Sequence, residues 1–255
     1  MKKFLSMVLA GVVAVGLAGC GSNTKKDGKK VVEINVAVSP DYAPYESKDK
    51  DGNIIGFDAD MVKLFPSYLN TDTTTYKFKW NSMSFDNIVT QVQAGQVDLG
   101  ISGFTYDEKR QVEWSKPYTA SAQVAVVNKD SNIKTVKDLE GKKLLAQSGA
   151  TGETAAKAVK NANVTTVKNV QQIFSALTAK QYDAVIVDLA VANNYAKAQG
   201  FKVLSESLLD EKNYIIAKKG NKEMIDLVNK ALEKFLASDD YKKLTDKYGL
   251  KKLEK

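Results

Sequence analysis

From Val31 onward, short apolar runs alternate with longer amphipathic segments, and this pattern predicts the secondary structure. The predicted strands are VVEINVAVS, YKFKW, VDLGIS, AQVAVVN, GKKLLAQ, VTTVKN, DAVIVD and NYIIAK. The predicted helices are DADMVKLFPSYL, FDNIVTQVQAG, ETAAKAVKNA, VQQIFSALTAK, LAVANNYAKAQG and two C-terminal segments, 222–237 and 239–248. Because strands alternate with helices, we expect an α/β protein with mostly parallel sheets. Pro66 predicts a break or kink in the first helix.

Two helix–strand units resemble each other at a shift of 85 residues: FDNIVTQVQAGQVDLGIS and VQQIFSALTAKQYDAVIVD. The alternative interpretation is that any two helix–strand units of an α/β protein look alike. The alignment also places Gly103 and Asp188 at equivalent positions, just past the carboxyl ends of their strands. Ligands of open α/β sheets bind beyond those ends. We therefore expect two lobes that face each other across one site.

Composition limits the chemistry that this protein can perform. The 255 residues are 44% hydrophobic and contain no histidine, which excludes Ser-His-Asp and Cys-His nucleophile systems and histidine-ligated metals. Asp58 and Asp60 begin a predicted helix, so we expect them to cap free N–H groups rather than to bind a metal. The sequence predicts neither a metal site nor a cofactor, and it argues against an enzyme.

The N-terminal 30 residues predict export and a lipid anchor. Residues 1–19 combine a basic start with a short apolar run, as in a signal peptide. The ending Leu-Ala-Gly before Cys20 resembles the bacterial lipobox, in which the cysteine receives a diacylglycerol; a core cysteine behind an ordinary signal sequence is the alternative. Residues 20–30 are polar and lysine-rich, and we expect them to form a flexible tether beside the membrane.

The 37 basic residues are 36 lysines and a single arginine, Arg110. A guanidinium can hold a carboxylate with two parallel hydrogen bonds, which a lysine cannot do with the same directionality. Asp188, from the other repeat, would bind an ammonium group, and Thr105 would serve the same ligand. The alternative for Arg110 is a surface ion pair with Glu108 or Glu113. We favour a receptor for a zwitterion, because lysine supplies every other positive charge.

Six segments carry a family resemblance: SPDYAPYE, GFDADM, FDNIVTQVQAGQVDLGISGFTYDEKR, EWSKPY, VKDLEGKKLLAQSGATGET and YDAVIVD. In this order and spacing, residues 31–250 resemble the extracytoplasmic solute-binding proteins of bacterial ABC importers for polar amino acids. The resemblance implies a two-lobed periplasmic-binding-protein fold. Lobe 1 would comprise residues 31–120 and 215–255, and lobe 2 residues 125–210. A two-strand hinge would lie near 120–124 and 210–214.

The resemblance also implies the roles of individual residues. Arg110 and the backbone N–H groups of Thr105 and Thr151 would bind the α-carboxylate of an amino acid. Asp188, the Thr105 hydroxyl and the Gly103 carbonyl would bind its α-ammonium. The other residues implied at the site are two aromatic rings around the ligand side chain, Tyr42 and Phe85, and three polar residues, Ser39, Ser102 and Gln147. For the two rings, ordinary packing in the core is the alternative.

Departures from the family pattern bear on the side chain that is bound. Ser39 stands where some relatives carry an aspartate, Gln147 where some carry a lysine, and Val187 where a polar residue is found. Since a buried charge without a partner is costly, these neutral positions favour a ligand with an uncharged side chain.

The expected function is capture of an L-amino acid by a monomer and its delivery to a membrane permease, at the outer face of the bacterial cytoplasmic membrane. No nucleic acid is expected as a partner. The main rival is an enzyme similar to the cyclohexadienyl (arogenate or prephenate) dehydratases of the same fold, for which Glu153 is the nearest candidate acid.

The anchor gives a first prediction. We expect Cys20→Ser to release the folded protein from the membrane, because the thiol is the expected point of lipid attachment. Fractionation of cells into soluble and membrane parts measures this release. If the variant stays in the membrane fraction at high salt, the lipoprotein interpretation is wrong.

Overall fold

The structure is a computed structural model that describes residues 24–26 and 28–254. The predicted signal peptide and Cys20 lie outside these residues. The helices are α1 Phe57–Leu69, α2 Phe85–Ala94, α3 Thr151–Ala158, α4 Val170–Thr178, α5 Leu189–Gln199, α6 Lys222–Leu236 and α7 Asp239–Tyr248, with a short 3-10 turn at Val136–Leu139.

The strands are β1 Thr24–Lys26, β2 Lys29–Val38, β3 Asp41–Tyr42, β4 Glu46–Lys48, β5 Ile54–Ile55, β6 Thr74–Ser82, β7 Leu99–Thr105, β8 Val112–Trp114, β9 Thr119–Val127, β10 Lys143–Gln147, β11 Asn163–Val167, β12 Ala184–Asp188 and β13 Lys202–Lys218. Each strand predicted from the pattern is found. The pattern missed the short strands β1, β3, β4, β5 and β8, and it captured only the end of β13.

One continuous sheet runs through both lobes in the order β1-β2-β7-β13-β9-β12-β10-β11, with β6 beside β2 and β8 beside β13. Strand β2 is parallel to β6 and β7, and β10 is parallel to β11 and β12. The two central strands, β9 and β13, run antiparallel to their neighbours. The pairs β2–β6, β2–β7, β10–β11 and β10–β12 are therefore parallel, whereas the central strands β9 and β13 and the short strands pair antiparallel.

The two segments expected to form the hinge lie side by side at the centre of this sheet. In the antiparallel register, Ala120, Ser121 and Ala122 of β9 pair with Lys212, Glu211 and Asp210 of β13. The predicted lobe boundaries fall inside these two strands. Each strand thus carries the chain from one lobe to the other without a separate linker.

Apolar packing fixes the helices of lobe 1. Helix α6 buries Ile225, Val228, Leu232 and Phe235 along one face, at the spacing of an amphipathic helix. At the start of α1, the fully buried ring of Phe57 packs against Phe235, Tyr118 and Tyr248. Burial of such a side chain stabilises the fold by about 1.5–3 kcal/mol.

Two local expectations about α1 are not met. The helix continues past Pro66 to Leu69, and the Asn70 N–H donates to the Pro66 carbonyl at 2.9 Å, so the predicted break is absent. The loss of helix stability is small, because Pro66 lies in the last turn and removes only one helical hydrogen bond. Asp58 does not cap the helix: the N-cap residue is Gly56, without a side-chain cap.

The segment predicted to be a flexible tether contains regular structure in its second half. Strand β1 pairs antiparallel with the start of β2, placing Thr24 opposite Val31 and Lys26 opposite Lys29. Regular structure therefore begins several residues before Val31. The polar sequence did not predict β1, because this strand forms by pairing with β2 across a tight turn at Gly28.

Candidate functional site

The candidate site lies where elements of both lobes end against the hinge strands. Strand β7 of lobe 1 ends at Thr105, and β12 of lobe 2 ends at Asp188. Helix α3 of lobe 2 begins at Thr151. The two repeated units therefore meet as predicted, at the carboxyl ends of their strands.

Arg110 lies in the turn after β7, and its side chain reaches across the cleft. Its Nη2 donates to the Gly149 carbonyl of lobe 2 at 2.8 Å, and its Nη1 donates to the Thr105 carbonyl at 3.4 Å. The guanidinium lies 5.4 Å from the ring centroid of Phe104 and 5.9 Å from that of Phe85. No described carboxylate forms an ion pair with it.

The guanidinium is therefore a half-buried charge held by carbonyls and ring faces. Burial lowers the pKa of Arg110, and the charges of Asp107 and Glu211 oppose that shift. The alternative of a surface ion pair with Glu108 or Glu113 is not found among the described residues. The Glu113 carboxylate instead accepts from the Gly220 N–H at 2.9 Å and lies 3.9 Å from Lys219 Nζ. An anion that enters the cleft would find an unneutralised guanidinium.

Asp188 supplies the opposite charge. Its side chain is 1% exposed, and it is the N-cap of α5, with Oδ1 accepting from the Ala190 N–H at 2.8 Å. Oδ2 accepts from the Ser121 hydroxyl at 2.5 Å and from the Tyr45 hydroxyl at 3.4 Å. Burial raises the pKa of Asp188 to about 7; the Ser121 hydrogen bond opposes this and the charge of Glu211 adds to it. A bound cation would stabilise the ionised carboxylate.

Two threonines lie near these charged groups. The Thr105 hydroxyl is buried and lies beside the Glu211 carboxylate, whose pKa it acts to lower. Thr151 is the first residue of α3, whose N-cap, Ala150, makes no side-chain hydrogen bond to the helix. Uncapped N–H groups and the helix dipole favour an anion at this end.

The two predicted aromatic residues belong to separate stacks. Tyr42 stacks on Tyr45 with 5.8 Å between ring centroids, and Phe85 stacks on Phe104 with 4.8 Å. The backbone of Gly103 has φ 58°, and a Cβ there would lie 3.0 Å from the Tyr42 ring. Only glycine therefore suits position 103, where the chain bends under the ring.

Three predicted site residues make their side-chain hydrogen bonds within the protein. The Ser102 hydroxyl donates to Glu46 at 2.5 Å and accepts from the Ser39 N–H at 3.2 Å. The Gln147 side-chain amide donates to the Lys168 carbonyl at 3.1 Å.

Two acids at the cleft were not singled out from the sequence. Asp41 is 9% exposed; its Oδ1 accepts from the Ser39 hydroxyl at 2.8 Å, and its Oδ2 accepts from the Val170 N–H of lobe 2, also at 2.8 Å. Burial raises the pKa of Asp41, while the Val170 and Ser39 hydrogen bonds oppose the shift. The sequence could have indicated Asp41 as a site residue, because it lies inside the SPDYAPYE segment that carries the family resemblance.

The second is Glu211, on hinge strand β13. Its carboxylate accepts from the Gln123 amide at 2.6 Å and from the Thr151 hydroxyl at 2.8 Å. Burial raises the pKa of Glu211. Hydrogen bonds from the Gln123, Thr151 and Thr105 side chains oppose this shift, as does the charge of Arg110. The residue lies in a segment that the sequence assigned only to the hinge.

An open groove of about 1140 Å³ runs along the hinge strands. It meets the candidate site at Thr105, Ser121, Thr151 and Glu211, but Tyr42, Phe85 and Asp188 do not line it. We place the site by its charged and aromatic groups rather than by the groove, which extends to the solvent-exposed Tyr106.

Within the described ranges, no helix is both long and apolar enough to cross a membrane, and no group of three or more acidic or cysteine side chains could hold a metal ion. The Glu153 carboxylate pairs with Lys157 at 2.5 Å and accepts from the Gly149 N–H at 2.8 Å. Burial acts to raise its pKa, but these two partners lower it overall. Glu153 is thus ionised near neutral pH and unsuited to protonate a leaving hydroxyl.

Comparison with known proteins agrees with this geometry. The chain is 30% identical over 259 residues to the arginine-binding extracellular protein ArtP of Bacillus subtilis (strain 168), covering 97% of this chain and 98% of the relative. It is 32% identical over 231 residues to the histidine-binding periplasmic protein of Escherichia coli (strain K12), covering 84% and 86%. The crystal structure of a substrate-binding protein of an amino-acid ABC transporter superposes with a TM-score of 0.78 and 32% identity, covering 85% of this chain and 98% of that one.

Residues 34–251 match the bacterial extracellular solute-binding proteins, family 3, and the chain belongs to that family. It is an exported, two-lobed binding protein of a bacterial amino-acid ABC importer, and it is not an enzyme. The sequence predictions of fold, amino-acid ligand and permease partner are thereby confirmed.

The raised pKa of Asp188 predicts how the ligand-free protein responds to pH. Its folded pKa of about 7 exceeds the ordinary value of about 3.9, so ionised Asp188 destabilises the fold increasingly as the pH rises from about 4 through 7. We expect Asp188→Asn, which still caps α5, to raise the free energy of unfolding by about 1 kcal/mol or more at pH 8.5.

Urea unfolding at pH 8.5 and pH 5 measures this difference, which should shrink at pH 5, where wild-type Asp188 is protonated. Asp226→Asn, at an exposed position of α6, is the matched control. An equal effect of Asp188→Asn at both pH values would contradict the prediction.

Proposed function

We propose that the cleft binds the zwitterionic end of a free L-amino acid, with Arg110 holding the α-carboxylate and Asp188 holding the α-ammonium. The observation that carries this proposal is a pair of opposite charges, one from each lobe, neither of which forms an ion pair among the described residues. The buried Thr105 hydroxyl, beside Glu211, supplies a further polar contact for the ligand. A zwitterion would satisfy all three groups at once.

The remaining contacts follow from position. The Thr105 and Thr151 N–H groups serve the carboxylate, and the Gly103 carbonyl serves the ammonium. The rings of Tyr42 and Phe85 hold the side chain between them, because each is packed from behind by another ring and is held rigidly. Ser39, Ser102 and Gln147 act as walls.

We further propose that the preferred side chain is cationic. The cleft brings three carboxylates, Asp41, Asp188 and Glu211, together with one guanidinium, and burial raises the pKa of each of these acids. A zwitterion adds no net charge, whereas a cationic side chain offsets one of the excess carboxylates. The arginine- and histidine-binding relatives support the same choice.

The expectation of an uncharged side chain is not supported by those relatives. It rested on three neutral positions, Ser39, Gln147 and Val187. The acid that some relatives carry at position 39 is replaced here by an acid two residues later, since the Ser39 hydroxyl donates to Asp41. An amino acid with a neutral, hydrogen-bonding side chain is the second candidate ligand.

Closure around the ligand is expected to use contacts that already join the lobes. Beside the Arg110–Gly149 and Asp41–Val170 contacts, Lys168 pairs with Asp86 at 2.9 Å. Ligand contacts from both lobes would add to these and favour the closed state. The hinge would be the β9–β13 pair.

One chain supplies both halves of the proposed site, which supports function as a monomer. Attachment to the membrane through lipidated Cys20 is part of the proposal. A tether would keep the binding protein close to its permease and raise its effective concentration there.

Arg110→Lys tests the carboxylate contact. It keeps the charge but removes the bidentate guanidinium, so we expect it to weaken binding by about 2–5 kcal/mol, or roughly thirty-fold or more. A thermal-shift screen with arginine, lysine, histidine, glutamine and glutamate first identifies the ligand, because ligand binding to the folded state raises its stability. Calorimetry then gives the dissociation constants.

The amide of the identified amino acid, which lacks the carboxylate, is the control ligand. It should bind wild type weakly and lose little more in the variant. If Arg110→Lys stays within threefold of wild type, Arg110 does not hold the ligand.

Asp41→Asn tests the preference for a cation. We expect affinity for arginine or lysine to fall about tenfold or more while affinity for glutamine changes less than threefold, because one buried counter-charge is removed. The ratio of the two affinities is the measured quantity, since loss of the Val170 contact would weaken all ligands alike. Asp51→Asn, in an exposed turn, is the matched control. An unchanged ratio would rule out Asp41 as the specificity determinant.

A further inference from the structure

Two carboxyl groups in the interior of lobe 1 play no part in the proposed ligand contacts. Glu46 is the first residue of β4, and Asp58 lies in the first turn of α1; both are 0% exposed. Two acids buried so deeply require an explanation, since an ionised carboxylate without a counter-charge is costly to bury.

Each of the two carboxyl groups has one oxygen with a donor and one without. Glu46 Oε1 accepts from the Ser102 hydroxyl at 2.5 Å, and Asp58 Oδ2 accepts from the Tyr118 hydroxyl at 3.3 Å. The buried atoms Glu46 Oε2 and Asp58 Oδ1 receive no donor from the described residues. The two side chains nevertheless lie within hydrogen-bonding reach of each other. Because ionised carboxylates only accept, a hydrogen bond between them needs a proton.

We propose that Glu46 and Asp58 share one proton in the folded protein, and that this acid pair positions Ser102 and, through it, the Ser39 end of the cleft. One proton satisfies both oxygens that otherwise have no donor, and it halves the buried negative charge. With its proton donated to Glu46, the Ser102 hydroxyl can only accept from the Ser39 N–H, at 3.2 Å.

The carboxylates of Asp41 and Asp188 face the pair and favour retention of this proton, whereas the hydrogen bonds from the Ser102 and Tyr118 hydroxyls oppose it. The phenols of Tyr45 and Tyr118 also face the pair, and its negative charge raises their pKa values. Burial, the largest cause, raises the pKa of Asp58 to about 7 and that of Glu46 well above its ordinary range. The pair thus resembles other carboxylate dyads, in which like charges in contact cannot both ionise.

The pair joins the crossing between lobes to the cleft. Tyr118 directly precedes β9, and its backbone N–H donates to the Asn213 carbonyl of β13 at 2.9 Å. From Tyr118 the polar chain passes through Asp58, Glu46 and Ser102 to Ser39, whose hydroxyl donates to Asp41. Only the last step, the effect on ligand affinity, rests on the proposed function.

The first experiment needs no ligand. Carboxyl ¹³C chemical shifts of wild-type protein, followed from pH 3 to 9, should show two coupled signals, one of which titrates at or above about pH 7. If both titrate in the ordinary range near 4, the shared proton does not exist. Because this measurement uses the wild-type chain, it does not depend on how any variant folds.

Urea unfolding across the same pH range gives a second ligand-free readout. A proton bound only by the folded state lowers the folding equilibrium constant about tenfold per pH unit between roughly pH 5 and 7. The double variant Glu46→Gln with Asp58→Asn, in which two amides replace the pair, should lose that component of the slope. Glu140→Gln, at an exposed position, should keep it. A double variant with the wild-type slope would overturn the proposal.

The positioning role is tested by rescue, with L-arginine as the probe at pH 6. Glu46→Gln imitates the protonated acid and should bind within threefold of wild type, whereas Glu46→Ala should bind about tenfold or more weakly, because Ser102 is released. Folded Glu46→Ala with wild-type affinity would overturn the positioning role. If wild type binds no amino acid, the proposed function fails, while the ligand-free experiments still decide whether the proton is shared.

Discussion

A half-buried guanidinium that spans the cleft, with no carboxylate partner among the described residues, constrains the rest of this structure. Arg110 is held by the carbonyls of Thr105 and Gly149 and by the faces of two phenylalanine rings, so its charge is oriented but not neutralised. Asp188 presents the opposite case, an acid deep in the protein that receives only neutral hydrogen bonds. Charges that are removed from water without a counter-charge are costly, and proteins tolerate them where a bound ligand supplies the counter-charge.

The strands that connect the lobes also form a wall of the site. Ser121 and Gln123 lie two residues apart on β9 and share one face of the sheet, and Glu211 of β13 pairs with Ser121 in register. Ser121 binds Asp188, while Gln123 binds Glu211. A change in the angle between the lobes would therefore alter the groups that we propose to hold the ligand, so that recognition and closure would depend on the same residues.

Acid accumulates around the cleft at a cost to the fold. Asp41, Asp188 and Glu211, as well as the Glu46–Asp58 pair behind them, all have pKa values raised chiefly by burial. In the absence of ligand, ionisation of these acids lowers the stability of the fold. The lysine-rich surface cannot relieve this cost, because its ammonium groups lie in water. Binding sites commonly trade stability for function in this way.

The order of the longer strands and helices and the α/β class could be predicted from the sequence, whereas the tasks expected of Arg110 and Asp188 stay predictions. Hydrophobic periodicity reports directly which face of an element is buried, and the repeat located the strand ends. The short strands β3, β4 and β5, which pair with one another, were missed because strands of two or three residues leave little periodic pattern. Most of β13 was missed because its stability comes from pairing with the distant strands β7 and β9. The same limit applies to side-chain roles. Asp58 looks like a helix cap in sequence, and Glu211 looks like part of a hinge. Only the tertiary structure brings Asp58 against Glu46, Glu211 against Thr151, and Asp41 against α4, since each contact joins residues that are far apart along the chain.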